Sequence, residues 1–155
     1  MGAASRLAAV VVRTVFHPAE RHMAFATLAL WCLFITILSS IPGNRYPDLE
    51  LPSGDKAVHA LLYFGVGWLA GRAAWNGRVA ARFPSSDQLC AIGFGCLFGL
   101  LDELHQWFVP FRNCSAADLA VDAVGVVAGV AAWHVYRRVA TERCTVADKP
   151  GIPDD

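Results

Sequence analysis

The stretch "MAFATLALWCLFITILSSI", from Met23 to Ile41, contains no Asp, Glu, Lys, Arg or His over 19 residues. A helix rises about 1.5 Å per residue, so this run is long enough to cross roughly 30 Å of hydrocarbon. A helix of a soluble four-helix bundle would need a polar outer face that repeats about every 3.6 residues, and this run shows none. The stretch therefore predicts a transmembrane helix and disfavours a soluble bundle.

The remainder of the chain is also apolar, since 55% of all residues are hydrophobic, 17% are charged, and the mean hydropathy is +0.42. Three weaker apolar runs are Ala57 to Gly71 (extendable to Trp75), Gln88 to Leu101 (continuing to Val109), and Leu119 to Tyr136. Segments that contain Pro and Gly separate these runs and predict loops. We therefore predict an all-α, polytopic membrane protein with four transmembrane helices and short loops.

Lysine and arginine residues predict the orientation of the four helices. Ten of them lie in the N-terminal segment, the middle loop and the C-terminal tail, against three in the other two loops. The side rich in Lys and Arg normally faces the cytoplasm, so both termini should be cytoplasmic and the protein should be a multi-pass protein of the plasma membrane. A cleavable signal peptide is the competing interpretation, but its apolar region would span only about 7 to 15 residues.

This orientation divides the chain into three parts. Residues 1–22 form a cytoplasmic N-terminal segment, residues 23–136 form the transmembrane domain, and residues 137–155 form a cytoplasmic tail. The tail is polar and contains two prolines, so we expect it to be disordered.

Polar residues interrupt the apolar runs at one predicted membrane surface. The end of the third run reads "DELHQWF", the second run begins "DKAVHALLY", and the fourth begins "ADLAVDAVG". In a stack of four antiparallel spans, these three ends lie on the same, outward side. The residues that converge on this side are Asp55, Lys56, His59, Asp102, Glu103, His105, Gln106, Arg112, Asp118 and Asp122. All of these except Asp102 and His105 are predicted to bind a ligand, together with Tyr63, which continues the Asp55, His59 stripe on the second helix.

Small residues share helical faces with these polar residues. Gly95 and Gly99 align with Glu103 on the third helix, and Gly125 and Gly129 align with Asp122 on the fourth. Such stripes allow helices to approach closely, and packing within the chain is the simpler interpretation. A homo-oligomer through the Gly125/Gly129 face is the alternative.

The polar residues permit several interpretations. Asp102, His105 and Lys56 can be explained by side chains that extend to interfacial water, but Glu103 and Asp122 are poorly explained in this way. A metal site formed by His59, Glu103, Asp118 and Asp122 is conceivable, but the sequence lacks H-x-x-x-H and H-E-x-x-H spacings, so we predict no metal and no cofactor. Cys114 and Ser115 do not lie in a recognisable nucleophile motif.

Two ordered segments resemble the VanZ-like membrane proteins. "DKAVHALLYFGVGWL" is similar to the D-K-x-x-H-x-x-x-Y segment of that family, and "DELHQWFVPFRNCSAADLAVDAVGVVAG" is similar to its E-x-x-Q-x-F-x-P-x-R and D-x-x-x-N-x-x-G-x-x-x-G segments, a match over residues 55–129. Asp122 stands where the family usually has Asn. The resemblance implies a bacterial cell-envelope protein and a link to resistance against glycopeptides such as teicoplanin.

Two hypotheses for function follow. In the preferred one, an outward-facing acidic pocket binds a lipid head group, a lipid-linked precursor or a glycopeptide without catalysis. In the other, a membrane-embedded enzyme modifies such a lipid, with Glu103 and His59 as the acid-base residues. Arg112 is expected to pair with Asp118 or Glu103 in either case. A transporter is less favoured, because four helices would line a pathway only as an oligomer, and no nucleic-acid partner is predicted.

Overall fold

Four long helices make up nearly all of the part that the computed structural model describes, which is residues 18–45, 54–74 and 84–147. They are α1 (Pro18–Ser39), α2 (Gly54–Ala74), α3 (Pro84–Gln106) and α4 (Ala116–Ala147), with a short 3₁₀ helix at Gly43–Arg45 after α1. The all-α class and the number of helices are confirmed. The predicted N-terminal segment and the first two loops lie largely outside the described residues.

The ends of two helices differ from the sequence-based predictions. α3 ends at Gln106 and a turn follows, because Pro110 lacks an amide hydrogen and disfavours helix before it. α4 continues to Ala147, so the prediction of a disordered tail from residue 137 is wrong over this part. The reason is visible in the sequence, since neither Gly nor Pro occurs between Gly129 and Pro150.

The core lies where α2 packs against the other three helices, and its most extensive interface is with α4. Tyr63 and Val66 of α2 are almost completely buried, as are Val126 of α4, Ala91 of α3 and Ile35 of α1. Trp31 of α1 adds a hydrogen bond from its indole Nε1 to the Leu62 carbonyl of α2, over 3.0 Å. α2 is therefore the central helix of the bundle.

Glycines allow α2 and α4 to approach closely. A Cβ atom on Gly125 would lie 2.7 Å from the carbonyl oxygen of Ala60, and one on Gly129 would collide with the carbonyl oxygen of Phe64. Gly125 and Gly129 thus pack against α2 of the same chain, and homo-oligomerisation remains a prediction.

Two of the helices are long and apolar enough to cross a membrane by length and composition, over His22–Ser39 and Ala116–Ala140. Large apolar side chains are also exposed along the outside of all four helices, including Leu30, Leu61, Leu97 and Val124. Exposed apolar surface of this extent is typical of a protein that contacts lipid.

Candidate functional site

Polar side chains from α1, α2, α3 and α4 meet inside one end of the bundle. We call this group the polar cluster, and its members are Ser39, His59, Tyr63, Asp102, Glu103, Gln106, Asp118 and Asp122, all buried. The cluster lies near the C-terminal ends of α1 and α3 and the N-terminal ends of α2 and α4. The packing thus brings together six of the nine predicted binding residues.

Glu103 contacts the beginning of α4. Its Oε2 accepts a hydrogen bond of 2.8 Å from the backbone amide of Ser115, which also caps the helix because its Oγ lies 3.4 Å from the amide of Asp118. A carboxylate is favoured here because the helix dipole is positive at the N-terminus. The other oxygen of Glu103, Oε1, is buried without a hydrogen-bond partner, so capping uses only half of the carboxylate.

His59 and Asp122 form a pair between α2 and α4. His59 Nδ1 lies 3.0 Å from Asp122 Oδ1, and both side chains are buried. One donor atom each from His59, Glu103 and Asp122 lie within 4.8 Å of one another. We call these three residues the buried triad. It contains both residues that the sequence singles out as acid-base candidates.

Lys56 and Asp118 form an ion pair between the beginnings of α2 and α4. Lys56 Nζ is 3.5 Å from Asp118 Oδ1, and the Lys56 side chain is 46% exposed. Asp118 therefore has a cationic neighbour, whereas Asp122 relies on His59. We call this pair the Lys56–Asp118 edge, because Lys56 is its solvent-exposed member, and the predicted acidic pocket remains a prediction.

Asp102 is a cluster residue that the sequence-based analysis assigned to interfacial water. The structure corrects this, because Asp102 is only 5% exposed and its Oδ2 accepts three hydrogen bonds. The donors are Ser39 Oγ at 2.9 Å, Tyr63 Oη at 3.1 Å and Gln106 Nε2 at 3.2 Å. The i, i+4 spacing of Asp102 and Gln106 indicated their contact, whereas no pattern in the sequence indicated the contact with Ser39.

Arg112 contacts the end of α1. Its Nε and Nη2 donate to the carbonyl oxygens of Ile41 and Leu38, each over 3.4 Å. The turn that follows α3 is held near the end of α1 by a second contact, in which the amide of Gly43 donates a hydrogen bond of 3.1 Å to the Pro110 carbonyl. Arg112 therefore satisfies carbonyls at the α1 terminus, and the expected pairing with Asp118 or Glu103 remains a prediction.

The remaining polar residues at this end are exposed. Asp55 lies on the surface at the start of α2, and His105 lies on the surface with its Nε2 3.0 Å from Ser40 Oγ. Interfacial hydration therefore describes Lys56 and His105 but not Asp102. The predicted site residues that lie outside the polar cluster are Asp55, Lys56 and Arg112.

A family model described as VanZ/LLP1 matches residues 10–137, a range that includes every residue of the polar cluster. This match confirms the resemblance that the two sequence segments indicated. No curated protein and no solved structure matches the chain.

Proposed function

Because the chain belongs to the VanZ/LLP1 family, we propose that it is a multi-pass protein of the bacterial plasma membrane whose polar cluster binds the head group of a lipid or lipid-linked envelope molecule. A role in resistance to glycopeptides such as teicoplanin is part of this proposal. Capture of the glycopeptide itself is the alternative ligand.

The lengths of the helices support four spans. α2 has 21 residues and α3 has 23. At about 1.5 Å per residue these are roughly 31 and 34 Å long, which is sufficient for a bilayer. Their charged residues are concentrated at the ends, where the cost of placing charge in a membrane is lower than at the centre.

One observation supports the binding proposal most directly. Two carboxylate oxygens of the buried triad, close to the Lys56–Asp118 edge, have no hydrogen-bond donor. Glu103 Oε1 and Asp122 Oδ2 accept no hydrogen bond. Buried polar atoms are normally paired, so two such oxygens beside a solvent-facing edge suit a ligand that supplies hydroxyl or ammonium donors. The acidic character favours a cationic or hydroxyl-rich head group over an anionic one.

A second candidate function, modification of the same head group, is favoured by the His59–Asp122 contact. A carboxylate 3.0 Å from Nδ1 can orient the imidazole, and Glu103 in the same triad could act as the proton donor or acceptor. The binding role is preferred, because it requires only the unpaired oxygens.

The substitution Glu103→Gln distinguishes these roles. We would purify the wild type and the variant in native-lipid nanodiscs and identify retained lipids by mass spectrometry, with His105→Gln as a control that removes an exposed polar side chain at the same end of the bundle. A binding role predicts depletion of one lipid class in the variant only. An enzymatic role predicts that this class accumulates, since a neutral isostere binds but cannot transfer a proton. Identical lipid profiles in all three proteins would overturn both roles.

A further inference from the structure

The buried triad places two carboxylates and one imidazole inside the bundle. Asp118 has Lys56 at 3.5 Å and Asp122 has His59 at 3.0 Å, but Glu103 receives one backbone amide and no side-chain cation within this group. The side chains of Glu103 and Asp122 are each about 1% exposed, so water screens them little. Two carboxylates this close require either a proton or a cation.

The two unpartnered oxygens belong to these same residues. Glu103 Oε1 and Asp122 Oδ2 are buried without a hydrogen bond, although the second oxygen of each carboxylate is used. Leaving a charged buried acceptor without a hydrogen bond is strongly unfavourable. The free lone pairs therefore point to a species that the polypeptide does not provide.

The distances within the triad are compatible with one ion. The three donor atoms lie within 4.8 Å of one another. Ligand atoms about 2.0–2.2 Å from a tetrahedral ion are roughly 3.3–3.6 Å from one another. Small side-chain rotations would therefore bring the three ligand atoms to these distances around one ion. α2, α3 and α4 each supply one ligand, and their packed backbones limit how far the ligands can separate.

We propose that His59, Glu103 and Asp122 form a binding site for a divalent transition-metal ion such as Zn²⁺ or Mn²⁺. One imidazole nitrogen with two carboxylates is a donor set for these ions, whereas Mg²⁺ and Ca²⁺ prefer oxygen ligands alone. Three protein ligands leave a coordination position for water or for a ligand oxygen entering past Lys56 and Asp118. The sequence motifs do not reveal this site because its ligands come from three helices.

Neighbouring groups already orient the ligands. The Ser115 amide holds Glu103 through Oε2 and leaves Oε1 available, while Asp122 Oδ1 fixes the imidazole of His59 at Nδ1. Outer hydrogen bonds of this kind preorganise metal ligands. The alternative is that a proton shared within the triad reduces the repulsion between the two carboxylates. This alternative predicts that the protein does not bind the metal ion.

The experiment uses the full-length protein in detergent, stripped with EDTA and titrated with Zn²⁺ or Mn²⁺ by isothermal calorimetry, with metal content after dialysis measured by mass spectrometry. Variants are Glu103→Gln and Asp122→Asn, which keep side-chain shape. His105→Gln is the control, because it removes an exposed candidate metal ligand from the same end of the bundle, outside the buried triad. Circular dichroism and size-exclusion chromatography identify any variant that fails to fold.

The wild type and His105→Gln should bind one ion per chain, and each triad variant that folds should bind at least about tenfold more weakly. If both triad variants misfold, protection of the wild type and of His105→Gln against thermal unfolding by the ion, but not by Mg²⁺, provides the second measurement. The proposal is overturned by a wild type that takes up neither ion, or by equal affinities in wild type and folded triad variants. No lipid is added, so a negative result leaves the head-group proposal intact.

Discussion

His59 and Asp122 are 63 positions apart in the chain, yet His59 Nδ1 lies 3.0 Å from Asp122 Oδ1 inside the bundle. The contact joins α2 to α4 at the end where α4 begins. Because both residues are buried, the contact should couple the stability of the two helices to the arrangement of the polar cluster.

A double-mutant cycle should detect this coupling. We expect His59→Gln and Asp122→Asn to destabilise the protein non-additively, with an interaction energy of about 0.5–3 kcal/mol, because either change removes the same contact. Unfolding of metal-free protein in mixed micelles would provide the measurement. His134→Gln combined with Asp122→Asn is the control, since His134 contacts Gln88 and Arg137 instead. Additive effects in the His59 cycle would show that the contact contributes no interaction energy to the free energy of unfolding.

Removal of one hydrogen bond to Asp102 should reduce stability measurably. Tyr63→Phe deletes the 3.1 Å bond from Tyr63 Oη and should cost about 1.5–3 kcal/mol, since the acceptor is a buried carboxylate. Tyr136→Phe removes the same hydroxyl from a residue that is 56% exposed and should change little. Equal melting temperatures for the two variants would indicate that water replaces the lost donor.

Close packing of α2 and α4 should make their glycines sensitive to substitution. Gly125→Ala places a methyl group 2.7 Å from the Ala60 carbonyl oxygen and should cost about 1–3 kcal/mol through forced separation of the helices. Gly93→Ala is the matched control within α3, because its Cβ would meet nothing within 4 Å. We expect the control to melt at or above the wild-type temperature, since alanine favours helix. A stable Gly125→Ala variant would contradict the packing described here.

Arg112 should stabilise the end of α1 modestly. Arg112→Ala removes the donors to the Leu38 and Ile41 carbonyls and should cost about 0.5–1.5 kcal/mol, with Arg112→Lys intermediate because one ammonium can still reach a carbonyl. Arg45→Ala, which removes an exposed cation nearby, is the control. A loss of about 3–5 kcal/mol would instead indicate the buried ion pair with an acid that the sequence-based analysis expected.

Thiol labelling can test the proposed orientation. Cys114 is exposed in the turn between α3 and α4, on the side predicted to face outward. A membrane-impermeant maleimide should therefore label intact spheroplasts expressing the wild type, and Cys114→Ser should abolish the signal. Labelling that appears only after permeabilisation would place this turn in the cytoplasm and reverse the predicted orientation.

The apolar runs in the sequence were sufficient to predict the helices. Each run is too long and too uniform to form another regular structure, so the helix number and the all-α class follow from composition and length alone. The ends of the helices were less certain, as the continuation of α4 to Ala147 shows, because a polar composition is compatible with both a helix and a tail.

The sequence also determined that polar residues gather at one end of the bundle. Successive helices run in opposite directions, so the end of α3 and the beginnings of α2 and α4 lie at the same end. Which of those residues are buried was decided only by the tertiary structure. Spacing at i, i+4 assigns residues to a common face but does not state how each helix is rotated against its neighbours. The rotation of α3 directs Asp102 towards Ser39 and Tyr63, and the close approach of α2 and α4 at Gly125 places His59 beside Asp122, while Asp55, one turn before His59, remains at the surface.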